Sequence, residues 1–289
     1  LPEGQGGDGG LVEVPVKAVE AVCCKTALSK TGIPGYRFCL NPYTGCVHAC
    51  RYCYADTVLR FAGHAAEWGE FVRAKVNFPE VLRRELRRKK SLAGRVILGT
   101  VTDAYQPAEA VYNLTRSALE VLLAEWPEVE IDLLTKSDLV VRDLDLFKSL
   151  KGSSVGFTVT TADDGAAAVL EPGAAPPSAR LRAARRLIEG GISVWAFVAP
   201  VLPGITDAPG ALEGLLNALR GAGIREIYFD PLNPYPAAVR RLKVAYRRAF
   251  RRALGRLEDY LRDPQSYMRL FSRRLAALSP EGDSGMRLP

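Results

Sequence analysis

Cys46, Cys50 and Cys53 stand within eight residues of one another in the run Asn41-Pro-Tyr-Thr-Gly-Cys-Val-His-Ala-Cys-Arg-Tyr-Cys-Tyr54. Thiolates at C-x3-C-x2-C spacing let one short loop wrap three corners of a compact inorganic cluster, because steps of four and three residues return the chain to the same side. Gly45 allows a tight backbone turn just before the first of them. The spacing offers three ligands, so a four-iron, four-sulfur cluster held here would keep one iron free of protein and open to chemistry. Two other readings use the same residues: a zinc knuckle completed by His48 or Cys39, and a redox-sensitive thiol patch. Zinc sites more often pair C-x2-C with a second, distant pair, and no second C-x2-C group is present.

The elements that must hold this loop alternate between strand and helix. A Gly32-Ile-Pro-Gly35 turn leads into Tyr36–Leu40, a short apolar strand ending at the cysteine loop. Ala55–Ala65 reads as a helix and Glu70–Asn77 as extended, with Val72, Ala74 and Val76 on its buried face. Pro79 suits the first turn of a helix running through Val81, Leu82 and Leu86 toward Lys90. Arg95–Thr100 is a strand, and Ala108–Glu125 a helix with Val111, Leu114, Ala118, Val121 and Leu122 on one stripe. Strand Glu130–Leu134 precedes helix Leu144–Leu150, strand Ser154–Thr160 precedes Ser178–Glu189, and strand Ile192–Ala199 precedes Ala211–Ala222; Glu226–Asp230 closes the series.

Six strands alternating with helices imply right-handed crossovers and a parallel sheet, an α/β fold with its active groups at the strands' C-terminal ends. Periodicity alone allows either a partial (βα) barrel or an open doubly wound sheet. Polar residues cluster at those ends: Gly99–Pro107, Thr135-Lys-Ser137, Thr158–Thr161 and Ala199–Asp207. Any one of these segments reads as turn or cap chemistry; four in register point to a site.

Composition bounds the rest. The chain has 289 residues, 48% hydrophobic and 25% charged, the balance of a globular protein with a sizeable core. No apolar run reaches the roughly 18 residues that span a bilayer, and the start lacks a signal-peptide pattern, so neither membrane insertion nor export is expected. All six cysteines lie in the first fifth of the chain, a distribution suited to a reducing cytoplasm rather than to disulfides. Residues 1–10 read as a flexible glycine-rich lead, 11–235 as the barrel with its N-terminal extension, and 236–289 as a basic helical segment. A net charge of +7, with eleven arginines between Arg240 and Arg274, favours a polyanionic partner such as DNA or RNA. Tyr246, Phe250, Leu254 and Leu257 recur there at helical spacing and read as core contacts.

The cysteine triad with the aromatic Tyr52 before its last member resembles the signature of the radical S-adenosylmethionine (SAM) enzymes. That resemblance implies a [4Fe-4S] cluster on Cys46, Cys50 and Cys53, with SAM chelating the open iron and cleaved to a 5'-deoxyadenosyl radical. It also implies a six-stranded partial barrel and an electron donor such as flavodoxin or ferredoxin. Asn41–Cys46, Thr102–Pro107, Leu134–Ser137 with Arg142-Asp143, Glu171-Pro172 with Arg180, and Ala199–Asp207 resemble the narrower spore photoproduct lyase-like group. This implies that Tyr52 borders the adenine of SAM, Thr102 and Asp103 meet SAM, Lys136 neutralises its carboxylate, and Thr158 and Ala199 line its ribose and adenine. Tyr54 matches one tyrosine of the group's radical relay. The group's hydrogen-donating cysteine belongs just ahead of Thr102-Asp103, where this chain has Thr100-Val101, and no cysteine follows Cys53. Threonine's O–H bond is too strong to substitute, so the lyase mechanism is not expected intact; a peptide or small metabolite is the alternative substrate, and a non-catalytic metal- or nucleic-acid-binding module the alternative class.

Overall fold

The computed structural model describes residues 19–61, 67–89, 94–278 and 286–287. The expected lead at 1–10, the extension up to 18 and the far ends of the helices expected over Ala55–Ala65 and toward Lys90 lie outside these residues. Six strands form the frame: β1 (Tyr36–Leu40), β2 (Arg95–Leu98), β3 (Ile131–Thr135), β4 (Ser154–Thr158), β5 (Ser193–Val201) and β6 (Glu226–Pro231). They lie side by side in chain order and every neighbouring pair is parallel. A doubly wound sheet would reverse its order at a switch point, so unbroken order selects the partial barrel. Ser29–Lys30 extends one edge antiparallel to β1 and Met286–Arg287 the other parallel to β6; among the described residues the two edges do not pair with each other.

Burial along β5 shows what the barrel encloses. Val194, Ala196 and Val198 are buried against the helix layer, while Ser193, Trp195, Phe197 and Ala199 point the other way into a cavity of about 760 Å³. Strand alternation thus divides each strand between an apolar packing face and a cavity wall. Gly156 on β4 has no side chain because Trp195 fills that space: a Cβ there would stand 2.4 Å from the indole ring.

Two expectations change. The extended segment around residue 72 forms strand Val72–Lys75, but in a separate small sheet between Val19–Val22 and Tyr43–Thr44. Val72 and Ala74 are buried as expected; Val76 lies past the strand's end and is 43% exposed. The helix expected over Ala108–Glu125 is two helices, Glu109–Tyr112 and Leu114–Glu125, broken at Asn113, whose φ is 50°. Glu109 causes the break: its carboxylate accepts the backbone N–H groups of Thr115 (2.9 Å) and Arg116 (3.1 Å), which caps a new helix start. Val111 therefore leaves the buried stripe and is 70% exposed.

The C-terminal segment folds as helices Pro236–Ala249, Leu254–Arg262 and Pro264–Ala277. Tyr246, Leu257, Tyr260 and Tyr267 are buried together with Leu170, Leu202 and Leu232 of the barrel. Among the described residues no helix is long and apolar enough to cross a membrane.

Candidate active site

The cysteine loop is clamped from several sides. Gly45 turns it with φ of 82°, and a Cβ at that position would stand 2.3 Å from the Phe71 carbonyl oxygen, so both conformation and space demand glycine. Its carbonyl accepts from Thr102 Oγ1 (2.6 Å) and Gln106 Nε2 (3.2 Å), and Gln106 Oε1 accepts the Val47 N–H (3.1 Å). On the far side Arg51 N–H reaches the Leu170 carbonyl (2.8 Å) and Gly173 N–H the His48 carbonyl (3.1 Å). Trp68 Nε1 holds the Cys50 carbonyl at 3.2 Å. Arg241, far away in sequence, donates to the carbonyls of Arg51 (3.3 Å) and Cys53 (3.0 Å) and to Asp56 (2.5 Å).

All ten residues implicated by the sequence line the one cavity: Cys46, Cys50, Cys53, Tyr52, Tyr54, Thr102, Asp103, Lys136, Thr158 and Ala199. Cys23, Cys24 and Cys39 do not line it. Cys46 and Cys50 are buried and Cys53 half-buried. Burial pushes the Cys50 thiol up to about 12 against the opposing pull of Lys136, and Cys46 is raised well above its ordinary value, chiefly by burial and then by Asp103. Burial favours the neutral thiol, and a bound metal would supply the positive charge that stabilises the thiolates. Among the described residues no three His, Cys, Asp or Glu side chains converge tightly enough for a single ion. All three cysteines line the cavity, and cysteine thiolates are the donors that iron–sulfur clusters take, so the residues present fit such a group.

Two buried carboxylates fix the walls. Asp103 is saturated: Oδ1 accepts from Thr135 Oγ1 (2.7 Å) and Tyr105 N–H (2.9 Å), and Oδ2 accepts the Lys136 N–H (2.7 Å) and faces His48 Nδ1 at 3.3 Å. Burial alone would raise its carboxyl, but His48, Thr135 and the Lys136 N–H outweigh burial and hold it below the ordinary range. Glu171 accepts the Tyr52 hydroxyl, Thr160 Oγ1 and Arg180 Nη2. Arg180, 1% exposed, also donates to the carbonyls of Thr158 (2.8 Å) and Ala175 (2.7 Å), tying β4 to the cysteine loop through Glu171 and Tyr52. Burial works against that glutamate's charge, and Arg180 and Lys136 more than offset it, lowering its pKa.

Lys136 is different. Its ammonium lies 5.7 Å from the Tyr52 ring and has no hydrogen-bond or ion-pair partner among the described residues. Burial opposes its charge, yet Cys50, Glu171 and Cys53 hold its pKa up, so the cavity keeps one uncommitted cation beside the cysteines. Tyr54, 37% exposed, donates to the Thr100 carbonyl at 2.7 Å. Asn41 fixes that neighbourhood by accepting the Thr100 and Val101 N–H groups at 3.1 and 3.3 Å.

Several residues of the site escaped the sequence reading. Gln106 and Asn41 stood inside segments already singled out, but nothing in their spacing told which backbone groups they would hold. Arg241 is one arginine among eleven, and His48, a zinc candidate by sequence, is spent on Asp103. Asp230, at the C-terminal end of β6, also lines the cavity; its carboxyl is raised by burial alone and has no partner among the described residues.

The parallel barrel thus brings three cysteines and an unpaired lysine ammonium to one cavity. The radical SAM superfamily model matches residues 40–219, and the chain belongs to that superfamily. As a member it is an enzyme that uses a [4Fe-4S] cluster and SAM, and it requires an electron donor. An uncharacterized protein of Mycobacterium tuberculosis is 32% identical over 281 residues, covering 89% of this chain and 78% of that one. An uncharacterized protein of Methanocaldococcus jannaschii is 34% identical over 183 residues, 63% of this chain and 67% of the other. Spore photoproduct lyase complexed with dinucleoside spore photoproduct shares the fold with a TM-score of 0.59 at 19% identity, over 78% of this chain and 66% of that chain.

Proposed function

We propose that Cys46, Cys50 and Cys53 hold the cluster and that the radical acts on a nucleic acid or nucleotide. The observation that carries the reading is the placement of the three cysteines and the unpartnered Lys136 ammonium on one cavity wall system. When bound, the cluster and SAM supply a 5'-deoxyadenosyl radical that removes a hydrogen atom from the substrate. Lys136 then neutralises the carboxylate of SAM, Tyr52 borders the adenine, and Thr158 and Ala199 line the ribose and adenine side. Thr102 and Asp103 complete the SAM-facing wall while holding, respectively, the Gly45 carbonyl and the Lys136 N–H.

Three things support a nucleic-acid substrate: the net charge of +7, the aromatic wall of Trp195, Phe197 and Tyr228, and a shared fold with a lyase that has been crystallised with a dinucleoside photoproduct. Where that group's hydrogen donor belongs, Thr100 and Val101 are held by Asn41, so Tyr54 is the nearest relay candidate. A second reading has its own observation. Glu226 and Asp230 line the cavity on either side of Tyr228, and carboxylates there suit an amine-bearing peptide or metabolite better than a phosphate.

The test is anaerobic reconstitution with iron and sulfide, then dithionite and SAM, with 5'-deoxyadenosine assayed with and without oligonucleotides bearing ultraviolet thymine lesions. Deoxyadenosine that disappears in Cys50→Ala supports the cysteine assignment. Lesion-dependent product supports DNA chemistry, whereas cleavage indifferent to oligonucleotides refutes it and moves the search to amine-bearing substrates.

A further inference from the structure

Helix Pro236–Ala249 lies against the outer side of the cysteine loop, where Arg241 is consumed in holding the Arg51 and Cys53 carbonyls and Asp56. Its neighbours are not consumed. Arg240, Arg247 and Arg248 on the helix and Arg51 in the loop are exposed, and among the described residues no carboxylate pairs with any of these four guanidinium groups. Two apolar side chains share this region: Val244, next after Arg241 on the same side of the helix, is 46% exposed, and Val58, on the helix Ala55–Phe61 that Arg241 grips through Asp56, is 39% exposed. Cys53, the least buried of the three cysteines, is the one whose backbone Arg241 holds.

We infer that this face docks an acidic one-electron carrier protein and that the electron enters at the Arg51–Cys53 edge of the loop. The inference rests on the cysteines holding the cluster. Arginines around a small apolar centre are the composition of a protein interface, and uncompensated cations steer an oppositely charged partner. Redox encounters are typically small, below about 1,200 Å² in total, so two valines and a ring of arginines are enough. A single strand of nucleic acid stacks its bases on successive exposed aromatics, and this helix offers few: Tyr246 is fully buried, Phe250 is half-buried, and Tyr235, at the helix's N-terminal end, is 40% exposed. The electron released as a flavodoxin hydroquinone becomes the semiquinone would be taken up by an oxidised cluster held at Cys46, Cys50 and Cys53.

The test compares the reconstituted full chain with an Arg240→Glu, Arg247→Glu, Arg248→Glu variant of matched iron content. Affinity for oxidised flavodoxin is measured by calorimetry at low and moderate salt, and deoxyadenosine formation is measured with flavodoxin hydroquinone and, separately, with dithionite. The expected result is salt-weakened flavodoxin binding that falls at least tenfold in the variant. Flavodoxin-driven cleavage should fall alongside it while dithionite-driven cleavage stays within twofold. Equal binding by both proteins, or no flavodoxin binding by the parent, overturns the inference. So does a variant that loses oligonucleotide affinity but keeps flavodoxin, which assigns the face to nucleic acid. Absence of dithionite-driven cleavage in the parent would instead overturn the cysteine assignment, and the binding comparison reads out regardless.

Discussion

Replacing Arg180 with methionine tests whether the buried Glu171–Arg180 pair organises the site. Both side chains are buried, and Arg180 serves three acceptors at once: the Glu171 carboxylate and the carbonyls of Thr158 and Ala175. Removing one partner of a buried pair leaves the other charge uncompensated, at a cost of about 3–5 kcal/mol. Lys136 still faces Glu171, which places the expected loss near the lower end, about 3 kcal/mol. Urea unfolding followed by far-UV circular dichroism would measure it. In the parent, Glu171's lowered pKa contributes stability that is present above the ordinary glutamate value of about 4.3 and is lost as pH falls through the folded value. In the variant burial dominates and raises the carboxyl, so the deficit should be full near pH 8 and shrink as pH is lowered toward about 5, where a proton replaces the lost cation. Adding Glu171→Leu should recover at least half of the loss, since an apolar pair no longer buries a bare charge. A single variant costing under about 1 kcal/mol, or a double variant with simply additive losses, would refute the argument.

Lys136→Met should leave iron content unchanged and weaken SAM binding about 10- to 100-fold, the worth of one charged hydrogen bond, as read by calorimetry on the reconstituted protein; unchanged affinity would remove Lys136 from the SAM site. Gly45→Ala meets both a φ of 82° and the Phe71 carbonyl at 2.3 Å, so reconstitution should yield well under half the iron of the parent, with no comparable loss for Gly191→Ala, where φ is also positive but nothing lies within 4 Å. Tyr54→Phe loses only a half-exposed hydrogen bond to Thr100 and should cost about 1 kcal/mol or less of stability; if it also lowers product without lowering deoxyadenosine, the hydroxyl serves as a relay, and equal product in both proteins would exclude that role.

The parts that the sequence disclosed are those with short-range causes. Three cysteines in eight residues, strands with turn residues behind them, and polar strand ends can all be read locally, and each of the six barrel strands lies within a few residues of its expected position. The hidden parts depend on distant partners. Nothing in a 3.6-residue pattern indicates that Glu109 will cap residues 115 and 116 and so eject Val111 from the core. Strand Val72–Lys75 alternates like any half-buried strand, and alternation does not say which sheet it joins. Arg241 and Arg248 look alike in sequence; only the fold spends one on the cysteine loop and leaves the other in solvent.

The same division explains why the cofactor class is legible and the substrate is not. Cluster and SAM are shared by the whole superfamily, and the residues proposed to meet them lie on the loop after β1 and at the C-terminal ends of β2 to β5, where strand geometry brings them to one cavity. The rest of the cavity, the wall left for a substrate under the proposed function, is built by alternate residues of β5 and β6: Trp195, Phe197, Glu226, Tyr228 and Asp230. Each of these reads locally as an ordinary strand residue, and only their shared orientation makes a surface. That surface combines aromatic faces with two carboxylates, one of them unpartnered, while the unpaired arginines lie outside on the helix over the cysteine loop. Charge is therefore divided between two surfaces: unpaired arginines lie on the outer face of the helix, and the β5–β6 wall of the cavity carries Glu226 and Asp230. A polyanion entering the cavity would have to present a base edge rather than a phosphate to Asp230. Asp230→Asn should accordingly change which substrate analogues bind without altering SAM cleavage in their absence. Equal analogue preference in the two proteins would remove Asp230 from substrate selection.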